Sequence, residues 1–373
     1  MENLEKDKDK VFLTVHGHFY QPPRENPWLE AIEQQDSALP AHDWNERINQ
    51  ECYNPNSVSK IVDSKNQILN VVNNYEYMSY NFGPTLLSWL EEYAPMAYER
   101  IIKADITSRK LHGGHGNAIA QVYNHMIMPL ANERDKQTQV KWGKKDFEYR
   151  FGREPEGMWL AETAVDDDTL RVLVENGIKF TILSPYQAQS IRKEGEENWQ
   201  DVSWGNIDPA RSYRYYIKSA PGKFIDLFFY DGAISKSVAF DELLKDGNKF
   251  VNRLKDGIST LRDYPQLINI ATDGESYGHH TKFGDMALAY AMKLKVKDNV
   301  SFEDLKKFDF KMPKNEAYYI RKVRGEYTVS VDFRPHNKIS GEIVIEDIKK
   351  NTISDLSLIF DLIKADIVEK VEG

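Results

Sequence analysis

The chain has a single cysteine, Cys52, which excludes an intramolecular disulfide and any cysteine-rich zinc or iron–sulfur centre. It has no excess of positive charge. The 49 Lys and Arg against 58 Asp and Glu leave −9, the wrong sign for binding nucleic acid through its phosphates. No apolar run approaches the roughly 18 residues that a membrane-spanning helix needs. The first ten residues, MENLEKDKDK, carry none of the apolar core of a signal peptide. Internal repeats and low-complexity tracts are missing as well. These absences predict a soluble, cytoplasmic protein with neither a nucleic-acid nor a membrane partner. What is present is ordinary globular material: hydrophobic residues are 41% and charged residues 29% of 373, enough to bury a core and to exclude wholesale disorder.

The pattern along the chain is α/β. After a solvated tail over residues 1–10, Val11 to Val15 is a short β-rich apolar run that stops at His16-Gly17-His18. A second strand is expected near Tyr77 to Phe82, followed by a helix that opens at Gly83-Pro84, where proline's missing N–H is harmless. Helical stretches are expected over Met96 to Thr107, Ala118 to Ala131 and Asn132 to Phe151. From Gly157 onward the alternation sharpens. Strands at Met158–Ala161, Lys179–Leu183, Phe224–Tyr230 and Leu267–Ala271 are separated by a helix at Asp166–Asn176 and a helical segment over Phe240–Leu261 interrupted by Gly247, and a last helix spans Asp285–Leu294. Strand, loop and helix repeated with few hairpins means parallel strands with crossover helices, and this many units favour a barrel or incomplete barrel over an open sheet. Residues 11–312 are read as that unit and 313–373 as a small appended β–α element. In the latter, Tyr327, Val329, Val331 and Phe333 alternate while Ile353, Leu356, Ile359 and Leu362 recur at helical spacing.

Chemistry collects in short glycine-bearing loops, of which several follow a strand. Six of the nine histidines fall in three of them: His16 and His18, His112 and His115, His279 and His280. Two further loops bring carboxylates, Glu162 after Met158-Trp159-Leu160-Ala161, and Asp273 with Glu275 after Ala271-Thr272. In parallel α/β architectures the loops at the carboxyl ends of strands converge on the site.

Four of these segments resemble, in order, the motifs of glycoside hydrolase family 57, whose members act on α-glucans. They are His16-Gly17-His18-Phe19-Tyr20-Gln21-Pro22, Gly114-His115-Gly116-Asn117, Trp159-Leu160-Ala161-Glu162 and Asp273-Gly274-Glu275-Ser276-Tyr277-Gly278. The first motif carries a longer spacer than the common form, with Phe19-Tyr20 before Gln21, and no family pattern is visible after about Lys311. The resemblance implies an incomplete seven-stranded (β/α) barrel and a retaining glycoside hydrolase or glycosyl-transferring enzyme. It implies Glu162 as nucleophile and Asp273 as general acid/base, with no metal or cofactor. Such a pair suits the chemistry, since one carboxylate must be ionised to attack while the other holds a proton for the leaving oxygen. By the same resemblance His16 and His18 would line the floor of the site and bind there, holding the nucleophile or a sugar hydroxyl. His115, Asn117, Trp159, Glu275, Tyr277, His279 and His280 become candidate substrate contacts, Trp159 competing with a role in the barrel core. The residues alone leave two other readings open. Imidazoles plus Asp273 are the donor types of a metal-dependent polysaccharide deacetylase, and the altered carboxyl end suits a non-catalytic glycan-binding relative.

Overall fold

The computed structural model describes residues 11–295 and 318–320. The longest strand, β1 (Val11–Phe19), lies between two parallel neighbours, β7 (Gln266–Asp273) and β2 (Ser79–Phe82). From β2 a parallel bridge between Tyr80 and Ala118 leads to β3 (Ala120–Gln121), which pairs in parallel with β4 (Met158–Trp159). Gly157 then bridges to Phe180 of β5 (Phe180–Leu183), and β5 is parallel to β6 (Phe224–Phe229). The last step, β6 to β7, is thin. Asp231 N–H donates to Asn269 O at 2.7 Å and Asn269 Nδ2 to Phe229 O at 3.2 Å. Below that contact the antiparallel strand Ser212–Tyr216 occupies the β6 edge, and Leu267 N–H bonds to Ala210 O. Neighbour thus leads to neighbour from β1 back to β1, with the weakest seam between β6 and β7.

Hairpins are more common than the sequence pattern suggested. Ser59–Val62 pairs with Ile68–Val72, and Ser190–Lys193 with Gln200–Asp201. Of the expected C-terminal β–α element, Tyr318–Ile320 is described, as a strand between Ser212–Tyr216 and Ser190–Lys193. The alternating and helical stretches expected beyond it lie outside the described residues.

Local chemistry sets the helix limits. Pro84 and Pro95 open α1 (Pro84–Tyr93) and α2 (Pro95–Leu111). Asn132 caps α3 (Glu133–Phe151), which stops at Gly152 with φ +64°. Asp166 caps α4 (Asp167–Glu175), and its carboxylate is clamped by Lys136 at 2.7 and 2.9 Å, tying α3 to α4 with a buried ion pair. Asp231 caps α5 (Gly232–Phe240) and Asp246 caps α6 (Gly247–Lys255). The helical segment expected over Phe240–Leu261, interrupted by Gly247, holds the 3-10 turn Leu243–Lys245 and then α6, which Asp246 starts at Gly247; α5 ends where that segment begins. The expected helix over Ala118–Ala131 is absent. That segment is the buried strand β3 followed by turns, held at its start by Asp105, which accepts from Ala118 N–H, and by Arg153, which donates to Ala118 O.

Alternation along the strands defines an inside. Ile119, Trp159, Ile182, Phe228 and Ala271, contributed by β3 to β7 or the residues beside them, form a small inner cluster. Val15 and Phe19 of β1 face the other way, into the large core under the helices. His16 and His18 share the inner face, in register with Ala271 and Asp273 on β7 and with Ser79 and Asn81 on β2. The fold thereby stacks polar side chains above an apolar plug at the carboxyl ends of the strands.

Candidate active site

β1, β2 and β3 deliver a chain of hydrogen bonds whose direction can be worked out from one fixed end. A backbone carbonyl can only accept, so Gln121 Nε2, 3.4 Å from Val122 O, is the donor side of that amide. Gln121 Oε1 therefore accepts from Asn81 Nδ2 at 2.7 Å. His18 Nδ1 lies 2.9 Å from the same Asn81 nitrogen and 3.2 Å from Asn81 Oδ1; taking the shorter contact as the hydrogen bond leaves Nδ1 bare, and Asn81 Oδ1 accepts from His16 Nε2 at 3.1 Å. Ser79 Oγ donates to His16 Nδ1 at 3.0 Å, and the His18 proton, left on Nε2, is donated to His125 Nε2 at 2.8 Å. All three rings are neutral in this scheme. Burial agrees: it lowers His16 and His125 to about 4 and, with His125 and His16 beside it, holds His18 well below the usual range.

This arrangement corrects one expectation. His16 and His18 do line the floor, but both nitrogens of each are spent on protein partners, so neither has one to offer a sugar or a carboxylate. The chain ends instead on His125, whose proton sits on Nδ1. Trp159 covers the pair, with its ring 4.9 Å from His16 and 5.0 Å from His18 at 20° to both. It is buried in the inner cluster, as a core residue and not an open platform.

Glu162 follows β4 in a tight turn. It is exposed, and both it and Thr163 have φ +54°. Left-handed backbone is unfavourable for residues with a Cβ, most of all for a β-branched one, and such strain concentrates at functional sites. Asp273 ends β7 beside His18. It is exposed to solvent, and the protein packed around it raises its pKa above the ordinary carboxylate value. Tyr230, half-buried at the end of β6, feels the charge of both Asp273 and Glu162; burial and those charges raise its pKa, against a hydrogen bond with Ser184.

Glu275 lies behind Asp273. Arg24 donates to Gln21 Oε1 at 2.6 Å, so Gln21 Nε2 faces and donates to Tyr53 Oη at 3.0 Å, and Tyr53 donates to Glu275 Oε1 at 2.7 Å. Burial, then the charge on Asp273, push Glu275 up to about 8, with the Tyr53 bond opposing them. The expectation of a direct substrate contact is not met, since Glu275 is buried and committed to Tyr53. Tyr277 is buried completely, its hydroxyl accepting from Thr272 Oγ1, and has no face to present. Gly274 is obligatory here for a steric reason: a Cβ would stand 2.2 Å from the Phe19 ring. His279 is paired with Glu51, and both His279 and His280 bond their N–H groups to Glu275 O. They brace the loop after Asp273.

His115 and Asn117 are not brought to the carboxylates. His115 pairs with Glu156 at 2.7 Å, and Lys179 pairs with the same carboxylate at 2.8 Å. These three residues precede β3, β4 and β5, so they mark the amino ends of the strands, opposite the candidate site. Asn117 bonds Tyr75 O and lies before β3 as well. Sequence reasoning placed them at the wrong end because their loop leads into a strand instead of out of one. It also passed over Asn81, Gln121, His125, Tyr53 and Tyr230. Among these, His125 follows β3 and Tyr230 follows β6, so strand-end position was the one signal that could have found them.

Among the described residues no three His, Cys, Asp or Glu side chains converge as a metal site. His16 has both nitrogens engaged and His115 sits at the far end, so the donor set of a metal-dependent deacetylase is dispersed.

Comparison with known proteins accords with the motif order. The model of glycosyl hydrolase family 57 matches residues 11–331. Alpha-amylase 1 of Dictyoglomus thermophilum is 23% identical over 201 residues, which are 53% of this chain and 25% of the amylase. The 4-alpha-glucanotransferase of Thermococcus litoralis superposes with a TM-score of 0.54 at 16% identity, over 83% of this chain and 42% of that one. An exo-type maltose-forming amylase from Pyrococcus sp. ST04 does so at 0.54 and 17% identity, over 76% and 46%. The chain thus spans a quarter of the curated relative's length and under half of these two structures, with which it shares an α/β fold. The match over most of its length places this chain in glycosyl hydrolase family 57.

Proposed function

We propose that the protein is a retaining glycoside hydrolase or glycosyl-transferring enzyme for α-linked glucans or oligosaccharides. On this reading β1 to β7 are the incomplete seven-stranded barrel of the family. Glu162 attacks the anomeric carbon while Asp273 protonates the departing oxygen, giving a covalent glycosyl-enzyme. Asp273 then takes a proton from water or a sugar hydroxyl, which displaces Glu162. The observation that carries the proposal is positional: Glu162 follows β4 and Asp273 ends β7, both exposed at the carboxyl ends of strands in one parallel ring, although they lie 111 positions apart in sequence (273 − 162). Its support is electrostatic as well. The Asp273 pKa is raised by its crowded setting, which is what a proton donor needs. The histidine floor is neutral and brings no charge to quench either carboxylate. The solved relatives bear names of α-glucan enzymes, and the substrate class is taken from them.

Two inversions at one carbon give net retention. Proton NMR of a maltooligosaccharide digest, read before mutarotation, is expected to show α-configured product first. β-configured product appearing first would exclude the double displacement.

A further inference from the structure

Away from the carboxylates, one exposed aromatic pair stands on the same rim. Tyr186, in the turn after β5, is 66% exposed and Trp204 is 67% exposed. The Tyr186 ring lies over Gly205, the residue next to Trp204, since a Cβ built at Gly205 would stand 3.3 Å from Tyr186 Cε1. The turn that carries Tyr186 is tied to the candidate site at two points. Gln187 Nε2 donates to Oγ1 of Thr163, the residue after Glu162, at 3.5 Å, and Ser184 hydrogen-bonds Tyr230, which Tyr186 also influences electrostatically.

Trp204 is costly where it is. Its φ is +64° and that of Gly205 is +80°, a conformation that glycine takes freely and a residue with a Cβ does not. The chain holds a bulky residue in strained backbone and then leaves most of its indole in water, so core burial does not account for it. Exposed flat aromatic surface, amphipathic and adjoining a cleft, is instead what a ligand with one apolar face would cover. The C–H face of a glucosyl ring is such a surface.

We propose that Tyr186 and Trp204 form an aromatic platform that stacks glucosyl rings of a longer chain, an outer sugar site beside Glu162. This rests on the α-glucan reading above. Maltose is too short to occupy both the reaction centre and the platform, whereas maltoheptaose reaches both. The proposal therefore concerns preference for chain length.

Calorimetric titration of the full chain with maltose and with maltoheptaose tests it. The Trp204→Gly and Tyr186→Ala variants are each expected to lose about tenfold of the parent's preference for maltoheptaose over maltose, the scale of truncating a stacked aromatic anchor. Trp204→Gly should do so with Tm at or above the parent's, because glycine relieves the backbone; a residue kept for packing would lower it. Unaltered preference in both variants, with binding intact, overturns the platform and leaves the catalytic reading standing. A parent that binds neither sugar overturns both.

Discussion

Replacing Glu162 with Gln is expected to abolish steady-state turnover, lowering kcat by about 10⁴-fold or more, the scale of losing a covalent nucleophile. Asp273→Asn should behave differently. General acid–base assistance is worth about 10²- to 10⁴-fold, but its value depends on the leaving group. An aryl maltoside with an acidic phenol leaves unaided, so its first step should survive in Asp273→Asn, while natural oligosaccharides should lose the full factor. Glu162→Gln has no such escape, since every substrate needs the nucleophile. The two variants are separated by comparing kcat/KM for the aryl maltoside and for maltoheptaose. Equal losses on both substrates in Asp273→Asn would remove its role as acid, and an active Glu162→Gln would remove the nucleophile.

The second large effect concerns stability. Glu275 titrates near 4.5 in the unfolded chain and at about 8 in the fold, so between those values the fold retains a proton that the unfolded chain has released. Its contribution is complete below pH 4.5 and is lost as pH rises through 8, on the order of 5 kcal/mol in all, with about 2 of them above pH 6.5. The buried histidines work in the other direction and at lower pH. His16 and His125 are held at about 4, so their contribution is present above 6.5 and is lost as pH falls through 4. Up to about pH 7.5 the unfolded chain is still releasing histidine protons and the two effects oppose each other; from about pH 7.5 to 8.5 the histidines are nearly silent and Glu275 dominates. Glu275→Gln, neutral throughout and still able to accept from Tyr53 through its amide oxygen, should hold its unfolding free energy over that interval while the parent declines. Urea melts at half-unit pH steps read this directly. Parallel decline of the two proteins would mean that Glu275 is ionised in the fold at neutral pH.

What the sequence disclosed follows from where information is local. β1, β6 and β7 are apolar runs with polar ends, and Asn132, Asp166 and Gly152 punctuate helices through their own backbone preferences. β3 was illegible because Ala-Gln favours a helix; its extended state is imposed by Asp105 and Arg153 from other elements. The helix after Asp231 was not legible, because a glycine, two serines and Val238 give Gly232–Phe240 weak helix propensity and its start rests on the Asp231 cap. At the candidate site, the strand-end positions of Glu162 and Asp273 were legible, because each follows a short apolar run. The roles of His16 and His18 were not, because whether an imidazole is free depends on Ser79, Asn81 and His125, three partners that no spacing rule brings together. Tyr277 and Glu275 show the same limit. A motif says that a residue is fixed in place, and burial decides whether it faces substrate or core.

Which side chain becomes bonded to sugar decides the mechanism. In Asp273→Asn, an aryl maltoside should load the enzyme faster than water can unload it, so acid quenching and proteolysis would leave a maltosyl mass on a peptide. Mass spectrometry is expected to find that mass on the peptide containing Glu162 and to localise it to that carboxylate. A maltosyl group on any other residue, or a burst of released phenol with no adduct at all, would contradict the assignment.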